Sequence, residues 1–333
     1  MDTQAGPDLE VIYAPVQPDV SRLHEFLREE FCAPEALIHE ILQHVARFRG
    51  KQMRPAMLFL AGRLGGQECT SDHVKIGAVV ELIHTATLVH DDVLDDALMR
   101  RNVETVHRLW GERAAVLIGD YIYSRAFQLS TEVDGMASIL SETTHTICEG
   151  ELLQLRNRFC PDMGENTYLE IIAKKTAILY AISCMLGGRL GGLNRDECDL
   201  LREFGLDLGM AFQIVDDCLD YVGTESEAGK SLGTDLHQNK VTLPLIYLME
   251  SLSSSDATWV KEQLRSPLSR ESESRIQTLV DQHGVVPAWL ARAEAFVRTA
   301  RERLAQIDDH CVSGSIVRDR LDLVGDYILR RQR

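Results

Sequence analysis

The stretch Leu88-Val89-His90-Asp91-Asp92-Val93-Leu94-Asp95 sets three carboxylates into an apolar run. Phe212-Gln213-Ile214-Val215-Asp216-Asp217-Cys218-Leu219-Asp220 repeats the arrangement 125 residues later. On a helix each trio falls within an arc of roughly 100°. Three like charges on one face lower helix stability, so something must offset them. Hard divalent cations bound through oxygen are the natural candidates, and Mg²⁺ takes one or two carboxylates per ion and fills its shell with water and phosphate. Two such faces opposed across a cavity suit a diphosphate substrate.

Outward from these motifs the pattern is helical. Apolar residues recur at i, i+3 and i+4 over 34–46, 74–98, 114–129, 136–155, 168–186, 196–221, 243–252 and 288–307. No alternating β-branched run competes, and hairpin dipeptides are scarce. The breaks at 62–71, 158–166, 187–194 and 223–240 are short, and 251–256 and 265–273 read as loops. The expected fold is all-α, with the two motifs on different helices facing the central cavity of one large bundle. Residues 1–333 form a single domain in this reading, and residues 1–20 a loosely ordered N-terminal segment.

The 333 residues are 45% apolar, enough for a large core, and carry 35 basic against 51 acidic side chains, a net charge of −16. That balance argues against nucleic acid and anionic membrane surfaces as partners. Eight cysteines show no zinc-like spacing, which fits free thiols in a reducing cytoplasm. The first twenty residues have no basic residue and no apolar signal-peptide core. No uncharged apolar run is long enough for a transmembrane segment.

Cations cluster around the acidic motifs. His84 lies two turns before Asp91 on nearly the same face, and Arg100-Arg101 follow the motif, where guanidinium groups can clamp phosphate. Gly229-Lys230-Ser231-Leu232-Gly233 and Lys240 follow the second motif as a flexible, lysine-bearing loop able to close over phosphates. Gly50-Lys51-Gln52-Met53-Arg54-Pro55 supplies another cationic pair. No Ser-His-Asp or Cys-His signature accompanies them.

These elements together resemble the trans-isoprenyl diphosphate synthases, specifically the all-trans polyprenyl diphosphate synthases, from about residue 45 to 250. The resemblance rests on Gly50–Pro55, Ile83–Asp95, Arg100-Arg101, Gly119–Phe127, Glu149–Leu155, Lys174–Ala177, Phe212–Tyr221, the Gly229–Leu236 segment and Lys240–Ile246. It implies an orthogonal helical bundle, usually a homodimer, that condenses isopentenyl diphosphate with an allylic diphosphate. By that resemblance Asp91, Asp92, Asp95, Asp216, Asp217 and Asp220 hold Mg²⁺ on the allylic diphosphate. Arg100, Lys175, Lys230 and Lys240 surround that group, with Thr176 and Gln213 as polar neighbours. Lys51, Arg54, His84 and Arg101 match the isopentenyl diphosphate site. Three positions depart from the family pattern. Asn102 and Asn239 stand where glycines are usual, and Arg49-Gly50-Lys51-Gln52 has lost a glycine and a cation. Asparagine tolerates left-handed backbone, so both loops are expected to keep their shape.

In this family the residues four and five before the first aspartate form the floor for the growing tail. Here they are the small Thr87 and Ala86, with Ile83 and Val80 deeper, which implies a long-chain product. The alternatives are a short-chain farnesyl or geranylgeranyl diphosphate synthase, a class I terpene cyclase and a non-catalytic synthase subunit. A cyclase normally replaces the second motif by an NSE-type triad, and non-catalytic subunits tend to lose the aspartates. A metal-dependent phosphohydrolase, suggested by His90-Asp91, is also weaker. So is a di-iron bundle built on Glu81-x-x-His84, because no second Glu-x-x-His is evident.

Overall fold

The computed structural model describes residues 8–222, 233–308 and 312–330. The helices in chain order are α1 (Leu9–Tyr13), α2 (Gln17–Glu30), α3 (Ala36–Val45), α4 (Met53–Arg63), α5 (Ser71–Leu94), α6 (Val106–Trp110), α7 (Glu112–Ser130) and α8 (Met136–Asn157). They continue with α9 (Glu165–Ile172), α10 (Ile178–Leu190), α11 (Arg195–Val222), α12 (Thr234–His237), α13 (Leu243–Ser251), α14 (Ser254–Leu264), α15 (Arg270–His283), α16 (Val286–Leu304) and α17 (Val312–Arg330). Helix makes up 79% of the structure, so the fold is all-α.

The two motif-bearing helices are the longest, and their burial explains why they sit at the centre. On α11, Leu201, Phe204, Leu208, Ala211, Val215 and Cys218 form a buried stripe at alternating three- and four-residue steps, the signature of a helix packed on one side. That stripe lies against α10 and α16. The helix α5 is buried nearly all round, from Ile76 through Val79, Ile83, Ala86 and Val89, and packs mainly on α7. Both helices run their acidic ends into one cavity, and a continuous apolar core surrounds them.

Among the described residues the only strands are β1 (Met99–Arg100) and β2 (Val103–Glu104), paired as Met99↔Glu104 and Arg100↔Val103. Arg101 and Asn102 form the two-residue turn between them, at φ 50° and 62°. Positive φ at both central positions is what this tight hairpin requires. Asn239 is likewise at φ 52°, so asparagine keeps the left-handed shape at both sites where the family pattern has glycine. Asn239 adds something glycine lacks: its buried amide donates to the carbonyls of Ser266 at 2.8 Å and Leu264 at 3.4 Å.

Two expectations need correction. The segment 1–20 is not loosely ordered over residues 8–20. Helix begins at Leu9, and Ile12, Val16 and Val20 continue with Leu23 and Leu27 as a buried stripe. Pro15 and Pro18 sit in the first turns of their helical segments, where the missing N–H costs nothing. The loops expected at 251–256 and 265–273 are present but shorter, at 252–253 and 265–269, with helix starting at Ser254 and Arg270. Ser253 accepts from the Asp256 N–H and Ser269 from the Ser272 N–H, each at 3.2 Å. Such serines cap the helices that follow.

Asn239→Val forces a β-branched residue into left-handed backbone and removes both amide bonds. We expect a loss of about 1–3 kcal/mol and a clearly lowered midpoint in thermal denaturation. Asn239→Gly, which retains the backbone shape, is expected to cost less. Equal midpoints for the two variants would contradict this account.

Candidate active site

A cavity of about 1430 Å³ collects most of the predicted residues: Asp91 from α5 and Asp95 at its C-cap, Asp216 and Asp217 from α11, and the cations Lys51, Arg54, Arg100, Arg101, Lys175 and Lys240. Each aspartate of the first motif lies beside a cation. Asp92 is 1% exposed, and its Oδ1 accepts from Arg100 Nε at 2.9 Å and Nη2 at 2.5 Å. Its Oδ2 is buried with no hydrogen-bond partner. Burial pushes the Asp92 carboxyl up, against the pull of Arg100. Asp95, at the C-cap of α5, pairs with Lys240 Nζ at 2.9 Å. Asp91 lies 3.8 Å from Lys175 Nζ.

The second motif is divided. Asp216 and Asp217 face the cavity. Asp217 accepts from the Tyr168 hydroxyl and from Gln213 Nε2, both at 2.7 Å. Burial and then the nearby Asp235 push its carboxyl up to about 8. Asp220 does not line the cavity. Its oxygens accept from the Thr234 hydroxyl and the Asp235 N–H, both at 2.9 Å, so it braces the start of α12.

Lys175 and Thr176 come from a π-turn, Ala173–Ala177, set between α9 and α10. A π-turn inserts an extra residue into the helical repeat and often marks a functional site. The Thr176 hydroxyl donates to Gln213 Oε1 at 2.8 Å, which links the turn to Asp217 through Gln213. The turn lies against α8 at Gly150, where an added Cβ would come within 2.5 Å of the Lys175 backbone nitrogen. Lys175 also pairs with Glu151 of α8. Burial opposes its charge, but Asp91 and Glu151 outweigh that and hold the ammonium above its ordinary range.

A second group of cations lines the same cavity. Lys51, Arg54, His84 and Arg101 all line the cavity there, with Glu81 among them. The Arg101 guanidinium donates to the Phe48 carbonyl and lies so close over Gly50 that a Cβ there would collide with it. Aromatic rings flank the cations: Lys51 Nζ is 5.1 Å from the Tyr327 centroid and the Arg54 guanidinium 4.3 Å from that of Tyr180. His84 is held well below its ordinary range by burial and by Arg54, Arg101 and Arg100, so its imidazole is neutral.

Of the remaining expectations, Lys230 lies outside the described residues. Thr87 lines the cavity, with its hydroxyl donating to the His84 carbonyl at 2.8 Å. Ala86 is fully buried in the core and is absent from the cavity wall. Several residues at the site were not anticipated. Glu151 stood within the Glu149–Leu155 motif as a charge interrupting an apolar stripe, a signal that could have been read. Tyr168 and Tyr13 carried no such signal. The Tyr13 hydroxyl donates to the Lys51 carbonyl at 2.7 Å and His24 bonds Gln52, so the N-terminal helices brace the Lys51 loop.

The donor set fits a divalent cation. Among the described residues no three acidic, imidazole or thiol groups form a ready-made metal cage. Mg²⁺ needs none when phosphate completes its shell, and Asp91, Asp95, Asp216 and Asp217 present carboxylates to the cavity; Asp92, buried against Arg100, does not line it, contrary to expectation.

Comparison with known proteins agrees with this chemistry. Residues 35–282 match the polyprenyl synthetase family. The chain is 38% identical over 256 residues to octaprenyl diphosphate synthase of Escherichia coli, covering 76% of this chain and 79% of that one. It is 35% identical over 295 residues to the geranyl-diphosphate-specific all-trans-nonaprenyl-diphosphate synthase of Rhodobacter capsulatus, covering 88% and 90%. The crystal structure of a polyprenyl synthase from Caulobacter crescentus, complexed with calcium and isoprenyl diphosphate, superposes with a TM-score of 0.91 at 31% identity, over 99% of each chain. The chain belongs to the polyprenyl synthetase family of trans-isoprenyl diphosphate synthases and is a trans-prenyltransferase.

Proposed function

We propose that the enzyme condenses isopentenyl diphosphate with an allylic diphosphate, repeatedly and with Mg²⁺, to give a long-chain all-trans polyprenyl diphosphate. The observation that carries this reading is the convergence of Asp91, Asp95, Asp216 and Asp217 with Arg100, Lys175 and Lys240 in one cavity. A second set of cations, Lys51, Arg54 and Arg101, stands beside it. The calcium and isoprenyl diphosphate bound by the Caulobacter relative support a divalent ion beside a diphosphate.

The aspartates would hold Mg²⁺, which when bound supplies charge stabilisation for the departing diphosphate. Arg100, Lys175 and Lys240 exchange their carboxylate partners for phosphate oxygens. Lys51, Arg54 and Arg101 hold isopentenyl diphosphate, and neutral His84 donates an N–H to it. Ionisation leaves an allylic carbocation, which the oxygen dipoles of Thr176 and Gln213 steady. The isopentenyl double bond attacks C1, and the proton then lost passes to the released diphosphate. The product is again an allylic diphosphate, ready for another round.

Location and assembly belong to the same reading. The seven described cysteines are free thiols, which suits a reducing cytoplasm. No described helix is long and apolar enough to cross a membrane. Val116, Leu117 and Tyr121 leave an exposed apolar strip on α7, and we assign it to a homodimer contact.

Incubation with isopentenyl and farnesyl diphosphates and Mg²⁺ should give longer allylic products, lost on chelation and restored by added metal. Asp91→Ala or Asp216→Ala should lower the rate about 100-fold or more with helical circular dichroism retained. Near-normal turnover in either variant would remove the metal-clamp account. Gly150→Ala should displace the Lys175 turn and lower kcat by up to about 100-fold, with the KM for isopentenyl diphosphate little changed. Initial rates with each substrate varied in turn would test this, and an unaltered kcat would show that the turn is not positioned through Gly150.

A further inference from the structure

Both oxygens of Asp217 are taken by donors of the protein itself. The Tyr168 hydroxyl donates to Oδ2 and Gln213 Nε2 to Oδ1, each at 2.7 Å. Among the described residues these are its only hydrogen-bond donors. Tyr168 is 2% exposed and belongs to α9, which leads directly into the π-turn that carries Thr176. The Thr176 hydroxyl donates in turn to Gln213 Oε1 at 2.8 Å. Gln213 and Asp217 stand four residues apart on α11, one turn along the same face. The segment 168–176 therefore grips that face of α11 at both of its ends.

The direction of every bond in this relay is set from the Asp217 end. Its oxygens accept from both neighbours, so Gln213 presents its NH₂ to Oδ1 and keeps its carbonyl for Thr176. A threonine hydroxyl has one hydrogen and two lone pairs. With the hydrogen committed to Gln213, the lone pairs are what Thr176 can turn to the cavity that both residues line. A reversed amide would donate to Thr176 and free the hydroxyl hydrogen. The positive end of that dipole could then face the developing carbocation, where only the negative end stabilises it.

The relay keeps its direction only while Asp217 keeps its orientation. Asp235 and Asp216 repel its charge from nearby. Without the Tyr168 hydroxyl, Oδ2 becomes a buried acceptor with no donor beside like charges, and the carboxylate turns to find one. Gln213 then loses the fixed acceptor that orients its amide. Tyr168 thus reaches Thr176 through two intervening side chains.

We infer that Tyr168 is a positioning residue for the ionisation step: through Asp217 and Gln213 it sets which end of the Thr176 hydroxyl dipole faces the allylic carbocation. The inference rests on the carbocation chemistry proposed above. It places the effect of Tyr168 on the rate of ionisation and not on the binding of either diphosphate.

The test compares Tyr168→Phe with Tyr247→Phe in the full-length enzyme. Tyr247 of α13 also gives a hydroxyl bond to α9, to Glu165 at 3.2 Å, but does not line the cavity. Tyr168→Phe keeps the buried ring and should lower kcat about tenfold or more, with both KM values little changed. Tyr247→Phe should leave kcat as it is, since a looser α9 does not by itself turn Gln213. Calorimetry with Mg²⁺ and farnesyl thiolodiphosphate, which ionises slowly, should give equal affinities for wild type and Tyr168→Phe. In a Gln213→Met background, where the relay is already cut, Tyr168→Phe should cost no more than about twofold in kcat. An unchanged kcat in Tyr168→Phe, weakened thiolodiphosphate binding, or a loss that multiplies in full with that of Gln213→Met would overturn the inference. A wild-type enzyme that forms no longer allylic product from isopentenyl and farnesyl diphosphates would instead remove the reading on which it rests.

Discussion

Carboxylates held out of water beside one another are unstable unless cations reach them, and the architecture around this cavity is arranged to bring those cations in. Arg100 holds Asp92, Lys240 reaches Asp95 from a loop 145 residues away, and Lys175 stands between Asp91 and Glu151. These pairs tie α5 to the β-hairpin, to the segment after α12, and to the π-turn between α9 and α10. The same groups would be the counter-ions of a bound diphosphate. Charge balance within the protein and charge balance with substrate are therefore alternative states of one set of side chains.

Holding that set in place depends on irregular backbone. The π-turn lifts Lys175 and Thr176 out of the regular helical repeat, and Gly150 leaves room for it. The hairpin turn puts Arg101 and Asn102 at positive φ, so that Arg100 faces Asp92 while Arg101 folds back over Gly50. Gln52, also at positive φ (48°), starts α4 just after Lys51. Non-glycine residues at positive φ are costly, and here they gather at the loops that carry the cations. Tyr13 and His24, from a segment distant in sequence, hold the Lys51 loop in that shape.

How much of this was legible beforehand follows from the range of the interactions. The helical periodicity, the aspartate pair and the cationic motifs are local patterns, and they led to an all-α fold and to most of the residues that line the cavity. The helices starting at Ser254 and Arg270 were misread because capping serines and loop serines look alike until an N–H is seen pointing at the hydroxyl. The N-terminal stripe was missed because its prolines resemble breaks, though each falls in a first turn. Asp220 matched the motif as well as Asp216 did. Only the path of the chain after α11 turns its carboxylate toward Thr234 and Asp235 instead of the cavity.

Charge and helical spacing are properties of neighbouring residues, so two acidic helix faces and their cationic partners point to a diphosphate-handling site before the fold is known. The left-handed tolerance of Asn102 and Asn239 was readable for the same reason. Which neighbouring residues line the cavity is another matter, settled by packing. Ala86 and Thr87 are adjacent in the chain, yet one is packed in the core and the other faces the cavity. Which face of a mostly buried helix meets empty space is set by the helices packed around it, and that information is not local.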